Sequence, residues 1–198
     1  MSAPARERVG LLGGSFDPPH EGHLWLARRA RALWQLDAVW LLPAYQPPHK
    51  TPTAVSPYPQ RAAMARLLAA AEPWLRLEDI EAERGGPSYT LDTVRALKAR
   101  DGARCHFFLI LGADALAELH SWREPAQLCA EIELLVVARP GETPAAAWPH
   151  RLGSGETHPA QSRTIRAAIA AGRPAPWLPP AVAAYIERAG LYRPQEAG

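Results

Sequence analysis

His20 and His23 flank Glu21-Gly22, directly after the run Gly13-Gly14-Ser15-Phe16-Asp17-Pro18-Pro19. A short apolar segment, Val9 to Leu12, precedes this run, and a helical pattern begins near Leu24. A strand, a glycine turn and a helix start bring backbone N–H groups and the positive end of a helix dipole to one place. That combination holds phosphate. Three residues apart at a helix entrance, the two imidazoles share one face, and Gly22 between them would let a bulky ligand approach the backbone. No third Cys or His ligand lies nearby, so a zinc site is not favoured. A structural role fits less well, because both histidines sit beside a glycine turn and not in an apolar stripe. The spacing points to a nucleotide site built on histidines in place of a lysine.

Positioning such a pair takes a strand before it and a helix after it, and the rest of the chain supplies more of both. Val9 to Leu12, Ala38 to Leu42, Leu75 to Ile80, Cys105 to Leu111 and Ile132 to Ala138 read as strands. Between and after them, Leu24 to Leu33, Gln60 to Ala71, Leu91 to Arg100, Thr164 to Ala171 and Ala181 to Gly190 have helical periodicity. Ser88 or Thr90 is placed to cap the third helix. Pro47-Pro48-His49-Lys50-Thr51-Pro52 cannot be regular structure, since its prolines remove donors and fix φ. Pro140 to Gln161 is polar, rich in Pro and Gly and without periodicity, which predicts a surface loop or lid. Mostly apolar strands alternating with helices predict one doubly wound, Rossmann-like α/β domain over residues 1–198, with a mainly parallel five- or six-stranded sheet. Ligands are expected outside the carboxyl ends of its strands.

Bulk properties exclude other classes. The 198 residues are 47% hydrophobic and 21% charged, with net charge +2, which describes a globular protein. Basic and acidic residues are interspersed, so no nucleic-acid partner is expected. The longest apolar runs are too short to span a bilayer, and residues 1–8 carry no apolar leader, so a cytoplasmic location is expected. Cys105 and Cys129 have no metal-type spacing and read as reduced thiols. There is no G-x-x-x-x-G-K-[ST] loop, no G-x-G-x-x-G fingerprint and no G-x-S-x-G elbow.

His20-Glu21-Gly22-His23 resembles the T/H-x-G-H signature of the nucleotidylyltransferase superfamily. Further stretches are similar, in order, to the bacterial nicotinate-nucleotide adenylyltransferase family: Leu42-Pro43, Pro47-Pro48-His49-Lys50, Pro87-Ser88-Tyr89-Thr90, Leu111-Gly112-Ala113-Asp114, Ser121-Trp122, Val137-Ala138-Arg139-Pro140 and Gly190-Leu191-Tyr192-Arg193. The resemblance covers nearly the whole chain. It departs at Gln161-Ser162-Arg163-Thr164-Ile165-Arg166, where the family carries Ser-Ser-Thr-x-Ile-Arg. With Ile165-Arg166 as anchor, Gln161 and Arg163 replace the first Ser and the Thr; a one-residue shift would let Thr164 serve as the hydroxyl.

The resemblance implies transfer of the adenylyl group of ATP to nicotinate mononucleotide, giving nicotinate adenine dinucleotide and pyrophosphate, with Mg²⁺ accompanying ATP. It implies His20, His23 and Arg166 as catalytic residues. ATP would also meet Gly13, Gly14, Ser15, Phe16, Gly112, Asp114, Ser162 and Thr164, with Asp114 accepting from ribose hydroxyls. Nicotinate mononucleotide would meet Ser15, Lys50, Tyr89, Thr90 and Trp122. The pyridine ring would lie between Tyr89-Thr90 and Trp122, its carboxylate on backbone N–H groups near Thr90 and Trp122. Asp17 is expected to bond the turn. The other tryptophans are expected to be packing or surface residues. A phosphate acceptor such as phosphopantetheine or glycerol phosphate, or a non-catalytic nucleotide-binding regulator, is the alternative. Oligomeric state, a homo-oligomer included, is left open.

Overall fold

The computed structural model describes residues 5–47, 55–141, 147–156 and 158–193. Its centre is a six-stranded sheet in the order β3-β2-β1-β4-β5-β6, with every neighbouring pair parallel. The strands are β1 (Glu7–Gly14), β2 (Ala38–Pro43), β3 (Leu75–Leu77), β4 (Cys105–Gly112), β5 (Glu133–Ala138) and β6 (Arg151–Ser154). The helices are α1 (Glu21–Trp34), α2 (Tyr58–Ala69), α3 (Ile80–Arg84), α4 (Thr90–Asp101), α5 (Ala113–Glu118), α6 (Pro125–Glu131), α7 (Ser162–Ala170) and α8 (Pro180–Arg188).

Period-two alternation decides which side chain serves which face. In β4, Phe107, Leu109 and Leu111 join one core with Leu91, Val94 and Leu97 of α4. Phe108 and Ile110 join the opposite core with Leu24, Ala27, Ala30 and Trp34 of α1. Both faces are therefore covered, which is why these strands read as continuous apolar runs. The chain builds β1, β2 and β3 outward in one direction, then returns to set β4 on the other side of β1. The order reverses between β1 and β4, so a crevice opens beyond Gly14 and Gly112.

Three expectations change. Pro140 to Gln161 is not loop throughout, because β6 lies within it and pairs with β5 from Leu135↔Arg151 to Ala138↔Ser154. As an edge strand with almost no buried side chain, it has no alternation to read. A Cβ on Gly153 would stand 2.5 Å from Leu33 Cδ1 and 3.0 Å from Trp34 Cζ2, so glycine is what lets α1 lie this close. The third strand stops at Leu77; Asp79 takes the N-cap position of α3 without a side-chain capping bond, and Ile80 begins the helix. Neither Ser88 nor Thr90 caps α4: Tyr89 occupies that position without a side-chain bond, and Ser88 Oγ instead accepts the Gln46 N–H at 3.1 Å. Cys105 and Cys129 are free thiols. Among the described residues no helix is long and apolar enough to cross a membrane.

Candidate active site

The turn after β1 is held from beneath. Phe16 takes φ +49 and buries its ring, 4.8 Å from that of His23, so only its backbone is left for a ligand. Asp17, 2% exposed, accepts the Ser56 N–H at 3.1 Å on Oδ2 and the Tyr192 hydroxyl at 2.6 Å on Oδ1. This is the turn-bonding role expected of it. Arg61, also 2% exposed, donates Nε to Ser56 O, Nη1 to Ser15 O and Nη2 to Tyr45 O. One buried guanidinium thus ties the β1–α1 loop to two points of the β2–α2 connection through their carbonyls, and burial lowers its pKa. Sequence reading did not find it, because a lone arginine on a helix gives no local sign that it points inward.

His20 is the N-cap of α1 and His23 lies in its first turn, with ring centroids 3.9 Å apart. The His20 N–H donates to His23 Nδ1 at 3.2 Å, which assigns the neutral His23 proton to Nε2. His20 is 7% exposed, and its Nδ1 is buried without a hydrogen-bond partner. Burial, and secondarily the neighbouring His158, push the His20 pKa down to about 4. Burial, then His20, hold His23 well below its ordinary value. Both rings are neutral at pH 7. A polyanion entering here meets N–H dipoles and the amides of a helix start, not two cations. Gly22 has a reason other than ligand approach, since its Cβ would stand 2.9 Å from His20 Nδ1.

Two cavities open at the crevice. The larger, about 500 Å³, is lined by Gly13, Gly14, Ser15, His23, Tyr89, Thr90 and Trp122, with Glu81 and Arg123 among its other walls. The smaller, about 350 Å³, is lined by His20, His23, Gly112, Asp114, Arg139 and His158 among others. Trp25, expected to be a packing or surface residue, is also on its wall. His23, Leu26 and Gly112 belong to both, so the two spaces meet at an imidazole and a strand end.

Around the larger space the polar groups are arranged by backbone. Ser88 N–H donates to Gln46 O at 3.0 Å, which fixes the approach to α4. Thr90 opens that helix, where first-turn N–H groups have no partner within the helix. Tyr89 lies under the Arg123 guanidinium, 4.7 Å from its ring centre. Trp122 is half-buried against the core, and its own N–H is already donating to Leu119 O at 3.0 Å. The Trp122 backbone N–H is thus committed, while the Arg123 guanidinium and the first turn of α4 share this wall.

Ser162 and Arg166 reach the turn from behind and are on neither cavity wall. Ser162 Oγ donates to Pro18 O at 2.9 Å, and Arg166 Nη1 donates to Asp17 O at 2.5 Å. Thr164 is exposed on α7, off both walls. Lys50 lies outside the described residues.

Sheet order, glycine turn, histidine-capped helix and twin cavities together define an α/β nucleotidyl-transfer protein. The profile of the cytidylyltransferase-like family matches residues 11–171. The probable nicotinate-nucleotide adenylyltransferase of Roseiflexus sp. (strain RS-1) is 42% identical, over 93% of this chain and 98% of its own. That of Bordetella petrii is 43% identical, over 94% of this chain and 100% of its own. In fold the chain is similar to the Plasmodium falciparum nicotinic acid mononucleotide adenylyltransferase complexed with NaAD, with TM-score 0.79 and 17% identity over 94% of this chain and 98% of that one. The chain belongs to the cytidylyltransferase-like family and, within it, to the nicotinate-nucleotide adenylyltransferases.

Proposed function

We propose that this enzyme transfers the adenylyl group of ATP to nicotinate mononucleotide, releasing pyrophosphate and nicotinate adenine dinucleotide. The observation that carries the reading is the meeting of two cavities at His23 and Gly112. One carries several imidazoles and Arg139 on its walls, suited to a triphosphate. The other is aromatic, with the open end of α4 on its wall, suited to a pyridine ring and an anionic substituent. The phosphate oxygen of the mononucleotide attacks the α-phosphorus. The bond from that phosphorus to the bridging oxygen breaks, and pyrophosphate leaves with the electron pair.

A phosphate monoester is largely dianionic at pH 7, so the attack requires no general base. What remains is to align two polyanions and stabilise charge on the leaving group. His20 and His23 do this as N–H donors beside the amides of α1. Arg166 and Ser162 hold the carbonyls of Asp17 and Pro18, which keeps those oxygens turned away from the phosphates. Among the described residues no group of three His, Cys, Asp or Glu could hold a metal ion. That suits a Mg²⁺ held mainly by the triphosphate and water, with Asp114 the carboxylate on that wall. Bound there, it would neutralise charge on the departing phosphates. The free thiols fit a reducing cytoplasm.

Pyrophosphate release tests the reading, with ATP and each of nicotinate mononucleotide, nicotinamide mononucleotide, phosphopantetheine and glycerol phosphate. Nicotinate mononucleotide should give the highest kcat/KM; release with another acceptor alone would overturn it. His20→Ala and His23→Ala should each lower kcat about 10²–10³-fold, the range for losing one preorganised donor to developing charge. Near-normal turnover in the double variant would remove these roles.

A further inference from the structure

His158, between β6 and α7, is on the wall of the smaller cavity and has no part in the mechanism above. Two contacts orient its ring. Nδ1 accepts the Ala160 N–H at 3.2 Å, which puts the proton of the neutral ring on Nε2. The ring stands edge-on to Trp177, centroids 5.0 Å apart at 85°. Trp177 is itself anchored to α1, its carbonyl accepting the Glu21 N–H at 2.9 Å. Nε2 lies 3.8 Å from Glu21 Oε2, too far for a hydrogen bond, so its N–H is not committed there. The side chain is 17% exposed. His20 and His23 line the same space, so three imidazoles border one cavity at the start of a fourteen-residue helix. They do not converge on a point as metal ligands would. Donors spread along a wall suit a ligand with several separated acceptor oxygens.

We propose that His158 is a third imidazole of the triphosphate site, its Nε2–H donating to a phosphate oxygen of ATP. The proposal rests on the adenylyl-transfer reading and assigns to that cavity a residue from the chain's most irregular region. Gln161 and Arg163, nearby in sequence, are exposed and off the cavity wall, so they do not compete for this place.

Calorimetric titration of the full-length protein with ATP and with AMP tests it. His158→Ala should weaken ATP about tenfold, the scale of one hydrogen bond to a charged acceptor. AMP, which lacks the outer phosphates, should bind nearly as before, and the KM for nicotinate mononucleotide should hold. His158→Gln keeps an N–H donor and should recover most of the ATP affinity; it also serves if the alanine variant folds poorly. Loss of ATP and AMP binding in equal proportion would reduce His158 to a packing residue on Trp177 and overturn the assignment, as would unchanged ATP affinity in both variants. Failure of the unsubstituted protein to bind ATP would sink the adenylyl-transfer reading itself, and this assignment with it.

Discussion

The two histidines at the head of α1 are uncharged because both are buried, His20 with His158 nearby and His23 with His20 nearby. That state has a thermodynamic signature. His20 titrates at about 4 in the folded protein against 6.5 when free. Between those values the unfolded chain binds more protons, so stability is complete above pH 6.5 and erodes as pH falls towards 4. The size is on the order of 3 kcal/mol for His20, with His23 adding in the same direction. His20→Asn should flatten the fall of Tm between pH 7 and 4.5. An equally steep fall in that variant would show that the slope comes from other groups. At this scale the sequence was legible where chemistry is local: His20, His23 and the glycine turn announce themselves by spacing. Arg61 and His158 do not. Their roles depend on loops 16 and 46 residues distant for the first, and on a neighbouring turn and Trp177 for the second.

At the scale of elements, glycines divide into those that make room for protein and those that make room for ligand. Gly153 belongs to the first kind, wedged against Leu33 and Trp34 of α1; Gly13 has nothing within 4 Å of its would-be Cβ and lines the larger cavity. Gly153→Ala should cost about 1–3 kcal/mol by overpacking, a fall of several degrees in Tm. Gly13→Ala should leave Tm nearly unchanged and raise the KM for the mononucleotide. The reverse pattern of melting and kinetics would contradict this division. The strands buried on both faces and the long amphipathic helices were readable because hydrophobic period reports burial. β6 was not, since an edge strand held by backbone bonds and by Arg29 donating to Ser154 O needs no apolar face. The short helices α3, α5 and α6 were equally silent, being too brief to display a period.

Across the whole molecule, the last described turn closes on the first. α8 packs on α2 through Val182, Ile186 and Met64, and this cluster seats Leu191 and Tyr192. From there the Tyr192 hydroxyl reaches Asp17, 175 positions earlier in the chain. Tyr192→Phe removes that donor but keeps the ring, and should cost about 1–2 kcal/mol of stability. Because Gly13, Gly14 and Ser15 sit on the same turn, kcat/KM for both substrates should fall several-fold together. A change confined to melting would show that the turn holds its shape without the tether. The similarity of the closing Gly190-Leu191-Tyr192 to the family was readable in sequence. Its purpose was not, as no pattern relates a terminal tyrosine to an aspartate in the opening loop.

The shared wall of His23, Leu26 and Gly112 has a consequence for what happens once the reaction is over. Each starting molecule occupies one chamber, whereas the dinucleotide spans both as a single tethered guest. Letting go at one end leaves it anchored at the other, where the freed half stays at high local concentration and rebinds. Departure, more than bond making, is then the slow event that such an architecture invites.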